Sequence, residues 1–195
     1  MTPAAYWNQG IEMVPAMTGA ATLMDGADIL EHAERLDIPL PFDAVMDVGC
    51  GTGRLGQFAI VYVGFDVAAD AVAYCRRAGR HAHLIAGPSS MPVEPLTGGP
   101  GDWVTCLSVF THIARTERQA YLQAFLPLAE QLLVDIIPGD GSGDVALWTA
   151  VPADFEADLA AAGWQIEASY DRACPAGPVH RYYRCRRAAY GASHP

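Results

Sequence analysis

An acid stands ahead of three alternating glycines in Asp47-Val-Gly-Cys-Gly-Thr-Gly53, and a second acid, Asp66, closes the next apolar run. Glycines at that spacing let the backbone turn sharply and pass close to a ligand, because no Cβ stands in the way. Ala44 to Val48 read as a short buried strand, and a helix starting near Thr52 would present free N–H groups and its positive dipole end to an anionic group. Asp66 follows Val61-Tyr-Val-Gly-Phe65, where a carboxylate in a strand–loop–helix unit accepts hydrogen bonds from a ribose diol. The chemistry indicated is the binding of a ligand that carries a ribose diol and an anionic group.

Gly51-Thr-Gly-Arg-Leu-Gly56 also satisfies the G-x-G-x-x-G pattern of dinucleotide-binding proteins. A nicotinamide-dependent oxidoreductase is therefore a rival reading. The register opposes it: Gly49-Cys50 intervene between the strand and that pattern, and Asp47 interrupts an otherwise apolar strand. Asp66 lies 17 residues beyond Gly49, near the roughly 20 that either reading expects.

A length of 195 residues fits one domain with a sizeable core. Hydrophobic residues make up 51 % and charged residues 17 %, a balance unlike that of a disordered chain. The net charge is -10, and all 12 basic residues are Arg. Without Lys there is no Schiff-base lysine, no phosphate-loop lysine and no lysine general base. An acidic chain with no basic stripe is a poor partner for nucleic acid or an anionic membrane, whose affinity rests on phosphate contacts. The five cysteines (Cys50, Cys75, Cys106, Cys174, Cys185) show no C-x-x-C spacing, and reduced thiols in a cytoplasmic protein are expected. No targeting leader and no apolar run of 18 residues is visible.

The elements that must position the glycine loop alternate along the chain. Thr18 is placed to cap a helix carrying Leu23, Ala27, Leu30, Ala33 and Leu36, ended by Pro39 and Pro41. Strands are predicted near 44–48, 61–65, 82–86, 102–108 and 131–137, with helices at 53–59, 69–78, 115–128 and 152–162, the last stopped by Gly163. Segments 164–170 and 180–187 read as a closing antiparallel pair. Alternating strands and helices imply an α/β sandwich with a mostly parallel sheet and a ligand at its carboxyl edge. Only 12 residues separate Gly53 from Asp66, so the first crossover helix holds about two turns and covers its face thinly. Asp140-Gly-Ser-Gly-Asp144 reads as a solvated glycine-rich turn and not as a metal site. Arg181, Arg184, Arg186 and Arg187 read as exposed positions on the last strand.

Asp47-x-Gly49-x-Gly51-x-Gly53 with Asp66 resembles the first motifs of the class I S-adenosylmethionine-dependent methyltransferases, a likeness spanning roughly residues 43 to 187. It implies a three-layer Rossmann-like fold whose sheet has seven strands, the last antiparallel, and S-adenosyl-L-methionine as cofactor. Asp47 would brace the loop or reach the methionine ammonium through water. Gly49, Cys50, Gly51 and Gly53 would wrap the cofactor, Asp66 would hold its ribose, and Val67 would face the adenine. After the third strand the family has an acid followed by Ala. Here Ala86-Gly-Pro-Ser-Ser-Met-Pro92 places Pro88 at the acid, leaving Ser89 or a backbone carbonyl to replace it and Met91 to pack on the purine. Asp102-Trp-Val-Thr-Cys-Leu-Ser-Val-Phe-Thr-His-Ile113 resembles the fourth motif, with Leu107 and Ser108 lining the methionine arm. Phe110 and His112, together with Trp148, would face the acceptor. His112 is a general base or a histidine fixing the strand–helix turn by a backbone hydrogen bond. His180-Arg-Tyr-Tyr-Arg-Cys185 resembles the final strand of small-molecule members.

The resemblance implies a metal-independent methyltransferase, acting in-line on an oxygen or nitrogen of a small organic acceptor, plausible in secondary metabolism. The chain would divide into an N-terminal helical cap, residues 1–41, and a cofactor-binding core, residues 42–190. Tyr6, Trp7, Ile11, Met13, Val14 and Met17 crowd the first 20 residues, an apolar density suited to a lid over the carboxyl edge, with Tyr6 and Trp7 against the cofactor. The segment could equally pack on the back of the sheet or on a second subunit; a monomer and a homodimer are both compatible. A non-catalytic cofactor-binding regulator is the alternative from another functional class.

Overall fold

The computed structural model describes residues 27–99, 101–144, 147–173 and 178–188. Its main sheet has seven strands. They are β1 (Phe42–Val48), β2 (Ala59–Asp66), β3 (Ala82–Leu84), β4 (Asp102–Cys106), β5 (Gln131–Ile136), β8 (Trp164–Ala173) and β9 (Val179–Arg187), in spatial order β3-β2-β1-β4-β5-β9-β8. All pairings are parallel except those of β9, which runs against both neighbours. A separate two-stranded ribbon, β6 (Gly143–Asp144) and β7 (Leu147–Trp148), occupies the glycine-rich segment. The order reverses between β1 and β4, which opens a crevice at the carboxyl edge there.

Strands β1, β4 and β5 are buried along nearly their whole length because helices cover both faces. On one face lie α1 (Ala27–Leu36), a 3₁₀ turn over Arg54–Phe58 and α2 (Ala69–Arg77); on the other lie α3 (Arg115–Phe125) and α4 (Pro152–Ala161). The first crossover is thus shorter than the expected helix. Ile60, on the face it should cover, remains 71 % exposed. Strand β3 spans three residues where five were expected, and α3 stops at Phe125.

The inward face of α1 differs from the one its leucines suggested. Ile29 and Leu36 are buried with Asp28 and His32, whereas Leu30 is 56 % exposed. The buried polar groups are compensated: Arg54 pairs with Asp28, and His32 Nδ1 lies 2.6 Å from the Tyr170 hydroxyl. Burial alone would raise the Asp28 carboxyl, but the hydrogen bond to His32 and the Arg54 charge hold it below its ordinary value. Glu31 pairs with Arg172, and Arg184 donates to the carbonyls of Leu36 and Asp37, binding α1 to the last two strands. Of the last-strand arginines expected to be exposed, only Arg186 is. Arg181 bridges to Asp171, Arg184 to Glu167 and Arg187 to Glu130.

Phe110 is a second correction. It was expected to face the acceptor, yet its ring is 1 % exposed and packs edge-on against Phe125, Phe155 and Tyr121 beneath α3 and α4. A ring in that cluster gains more from dispersion and edge-to-face contact than it would at a wet cleft. The Trp164 indole closes the same side by donating to the Leu122 carbonyl at 3.0 Å. Phe110→Ala should therefore lower unfolding stability by about 3–5 kcal/mol, measured by urea titration. A variant as stable as the parent would place the ring outside the core.

Candidate functional site

Strand β1 leaves the sheet at Val48 and turns back at once through positive-φ glycines, Gly49 (φ 72), Gly51 (φ 52) and Gly53 (φ 74). The turn is fixed from β2: the Gly49 and Cys50 N–H groups both donate to the Phe65 carbonyl, at 2.7 and 3.1 Å. Gly51 N–H then donates to Asp66 Oδ2 at 2.8 Å, while the other carboxylate oxygen accepts from Ala68 N–H at 2.8 Å. Asp66 thus ties the β1 turn to the start of α2. Each bonded oxygen keeps a second lone pair, so the carboxylate can accept a ribose diol as well. Burial raises its pKa, opposed by the three backbone N–H groups of Ala68, Gly51 and Val67. Val67 is half-buried beside it.

The glycines are not equivalent. A Cβ on Gly49 would stand 2.1 Å from Val109 Cγ2, and one on Gly53 would meet Cys75 Sγ at 2.9 Å. A Cβ on Gly51 would meet nothing within 4 Å. Gly51 therefore borders open space, room in which a ligand can approach the turn. Cys50 is buried rather than turned to that space; its thiol is hydrogen-bonded with that of Cys75, which donates to the Gly51 carbonyl at 3.1 Å.

Asp47 lies below the loop, 3 % exposed. Thr105 Oγ1 in β4 and the Tyr62 hydroxyl in β2 donate to its two oxygens at 2.9 and 3.1 Å. Burial dominates and pushes its pKa from 3.8 up to about 6, with Thr105, the Arg54 charge and Tyr62 opposing. Its bonds pin the end of β1 to β2 and β4, directly below the glycine loop.

Two residues proposed against the adenine sit differently from expectation. Met91 is 7 % exposed and packed in the core cluster with Phe65 and Ile85, because the 3₁₀ turn over Pro88–Ser90 folds it inward. Ser89 is exposed, and it is Ser90 whose Oγ accepts from the Ala86 and Gly87 N–H groups. Leu107 is 7 % exposed; Ser108 carries φ 60 at the end of β4. His112 ends the following 3₁₀ turn, half-buried, its N–H on the Val109 carbonyl at 2.8 Å. Tyr6 and Trp7 lie outside the described residues, as does the Trp148 side chain. Asp140 caps its own turn, accepting from Ser142 and Thr149. Among the described residues no group of three or more His, Cys, Asp or Glu side chains is placed to hold a metal ion.

Sequence reading missed Asp135 and His180. Asp135 is fully buried at the end of β5; one oxygen accepts from Ser108 N–H at 2.5 Å and the other lies 2.6 Å from His180 Nδ1. The signal was present in Leu132-Leu-Val-Asp-Ile136, where an acid interrupts an apolar strand as Asp47 does in β1.

No family model matches the chain, and no curated protein matches it in sequence. Solved structures do match. A magnesium protoporphyrin IX methyltransferase from Synechocystis PCC 6803 with bound SAH shows 19 % identity and a TM-score of 0.69, over 95 % of this chain and 97 % of that one. A SAM-dependent methyltransferase from Anabaena variabilis shows 14 % identity and a TM-score of 0.70, over 96 % of each. The DhpI–SAH complex shows 17 % identity and a TM-score of 0.67, over 95 % of each. On these matches and its seven-stranded sheet, the chain has the class I S-adenosylmethionine-dependent methyltransferase fold.

Two predictions follow from the loop and its acid. Gly51→Ala should cost only the positive-φ strain, roughly 1–2 kcal/mol, while sharply weakening binding of S-adenosylhomocysteine. Gly49→Ala should lose more stability because Val109 blocks its Cβ, as thermal melts of both variants will read. For Asp47, a folded pKa above the unfolded value means that ionisation disfavours the fold. Relative to Asp47→Asn, wild-type stability should fall by on the order of 3 kcal/mol between about pH 4 and pH 6, then level off. Parallel urea titrations across that range check the sign.

Proposed function

We propose that the protein is an S-adenosylmethionine-dependent methyltransferase acting on an oxygen or nitrogen of a small organic acceptor. The observation that carries this reading is the open cradle at Gly51 beside the doubly anchored Asp66. Gly49 to Gly53 would hold the methionine arm, Asp66 the ribose and Val67 one edge of the adenine. When bound, the cofactor supplies an electrophilic methyl on a sulfonium. The chain's own task is to align the acceptor, exclude water and receive any proton that the acceptor loses. Alignment alone supplies several kcal/mol of such a barrier. A hydroxyl acceptor requires a base, and two histidines, His112 and His180, lie near the carboxyl edge.

The N-terminal segment is proposed as a lid. What supports this is the start of α1, where Asp28 pairs with Arg54, one residue past the glycine loop, so that Ala27 stands beside that loop. The departure at Pro88 and the inward Met91 favour one second reading, a protein that binds the cofactor without turnover.

Asp66→Ala should weaken S-adenosylmethionine binding by about 1.5–3 kcal/mol through lost charge-assisted hydrogen bonds. Calorimetric titration with unchanged affinity, or tight binding of a nicotinamide dinucleotide by the parent, would overturn the cofactor assignment. Deleting residues 1–17 should leave a folded domain without turnover, and exchange protection of residues 5–15 should rise with cofactor. Full activity in the truncated protein would remove the lid. Methyl consumption with any acceptor separates the enzyme from the regulator.

A further inference from the structure

His180 is the second residue of β9, at the carboxyl edge, where Arg181 pairs with Ile136, the last residue of β5. Its Nδ1 is fixed on Asp135, 2.6 Å away, and its Nε2 has no hydrogen-bond partner among the described residues. The ring stacks on Tyr182, centroids 6.0 Å apart and planes inclined by 22°, which sets its plane as Asp135 sets its edge. The charged groups around it are Asp135 in β5 and, opposite in β8, Arg172, itself held by Glu31. Asp135 is in turn positioned by the N–H of Ser108, a non-glycine residue in the left-handed region. Such a conformation costs of order 1–3 kcal/mol and persists where the surroundings enforce it. An imidazole held at Nδ1 by a buried carboxylate presents Nε2 as an acceptor, and the carboxylate stabilises the imidazolium that forms.

We propose that His180, positioned by Asp135 and Ser108, is the proton acceptor of this site, and that the methyl acceptor is a hydroxyl compound. The inference rests on the methyltransferase reading and narrows it. In the step assigned to the chain, the O–H bond of the acceptor breaks and its electron pair remains on oxygen. The proton forms a bond to His180 Nε2 and leaves to water. A neutral amine or an existing phenolate would need no such group.

Histidine-labelled protein and long-range proton–nitrogen spectra test this without knowledge of the acceptor. His180 should show a protonated Nδ1 and a bare Nε2, and its ring signals should move differently with S-adenosylmethionine and with S-adenosylhomocysteine, which differ only by the methyl and its charge. Asp135→Asn should lose the tautomer preference while binding S-adenosylhomocysteine within about threefold of the parent. An Nε2–H tautomer in the parent overturns the assignment, as do identical His180 signals with both ligands shown to be bound. If calorimetry shows that neither ligand binds, the cofactor reading itself has failed and the proposal falls with it. Should Asp135→Asn not fold, the wild-type spectra still decide.

Discussion

Everything at the carboxyl edge depends on burying carboxylates where strands end. Asp47, Asp66 and Asp135 are 3 %, 8 % and 0 % exposed, and each must be offered donors from a neighbouring segment or it could not stay inside. Asp66 draws in the N–H groups of Gly51 and Ala68, Asp47 the hydroxyls of Thr105 and Tyr62, and Asp135 the N–H of Ser108 and the ring of His180. Together these acids link β1 to β2, β4 to β1, and β5 to both β4 and β9. The strand ends are cross-linked because these acids cannot be buried without donors.

The two faces of the sheet divide the work. The face under α3 and α4 is an apolar core of aromatic rings, with Phe110, Phe125 and Phe155 at its centre. The face under α1 and α2 carries His32 and the hydroxyls of Tyr62 and Thr105 on Asp47, although Arg118 is buried on the opposite face over the Phe155 ring. The opposite face supplies most of the aromatic packing. The burial of Phe110 fits this division.

The glycine loop was legible because its requirement is local: positive φ and the absence of a Cβ are properties of single residues at fixed spacing. The sheet was legible for the same reason, since continuous apolar runs such as Leu132–Val134 declare burial on both sides. The face of α1 was not, because Leu30 satisfies helical periodicity as well as Ile29 does. What selects Ile29 is the pairing of Asp28 and His32 with Arg54 and Tyr170, residues 26 and 138 positions away. The Asp135–His180 pair, 45 residues apart, is equally invisible until β9 is set beside β5. Sequence pattern reports which residues want to be buried, and long-range partners decide which polar residues may join them.

The binding of α1 to the end of the chain also has a consequence during synthesis. Ile29 and Leu36 bury themselves against Tyr182, and Arg184 grips the carbonyls of Leu36 and Asp37 across 148 and 147 residues. At roughly 5–20 residues per second on the ribosome, α1 therefore waits about 8–30 s after emerging before its final partners exist. Contacts of such separation raise the loop-closure cost that folding must meet first. A nascent chain arrested before β9 would leave the apolar side of α1 unburied, a surface open to chaperones and to self-association.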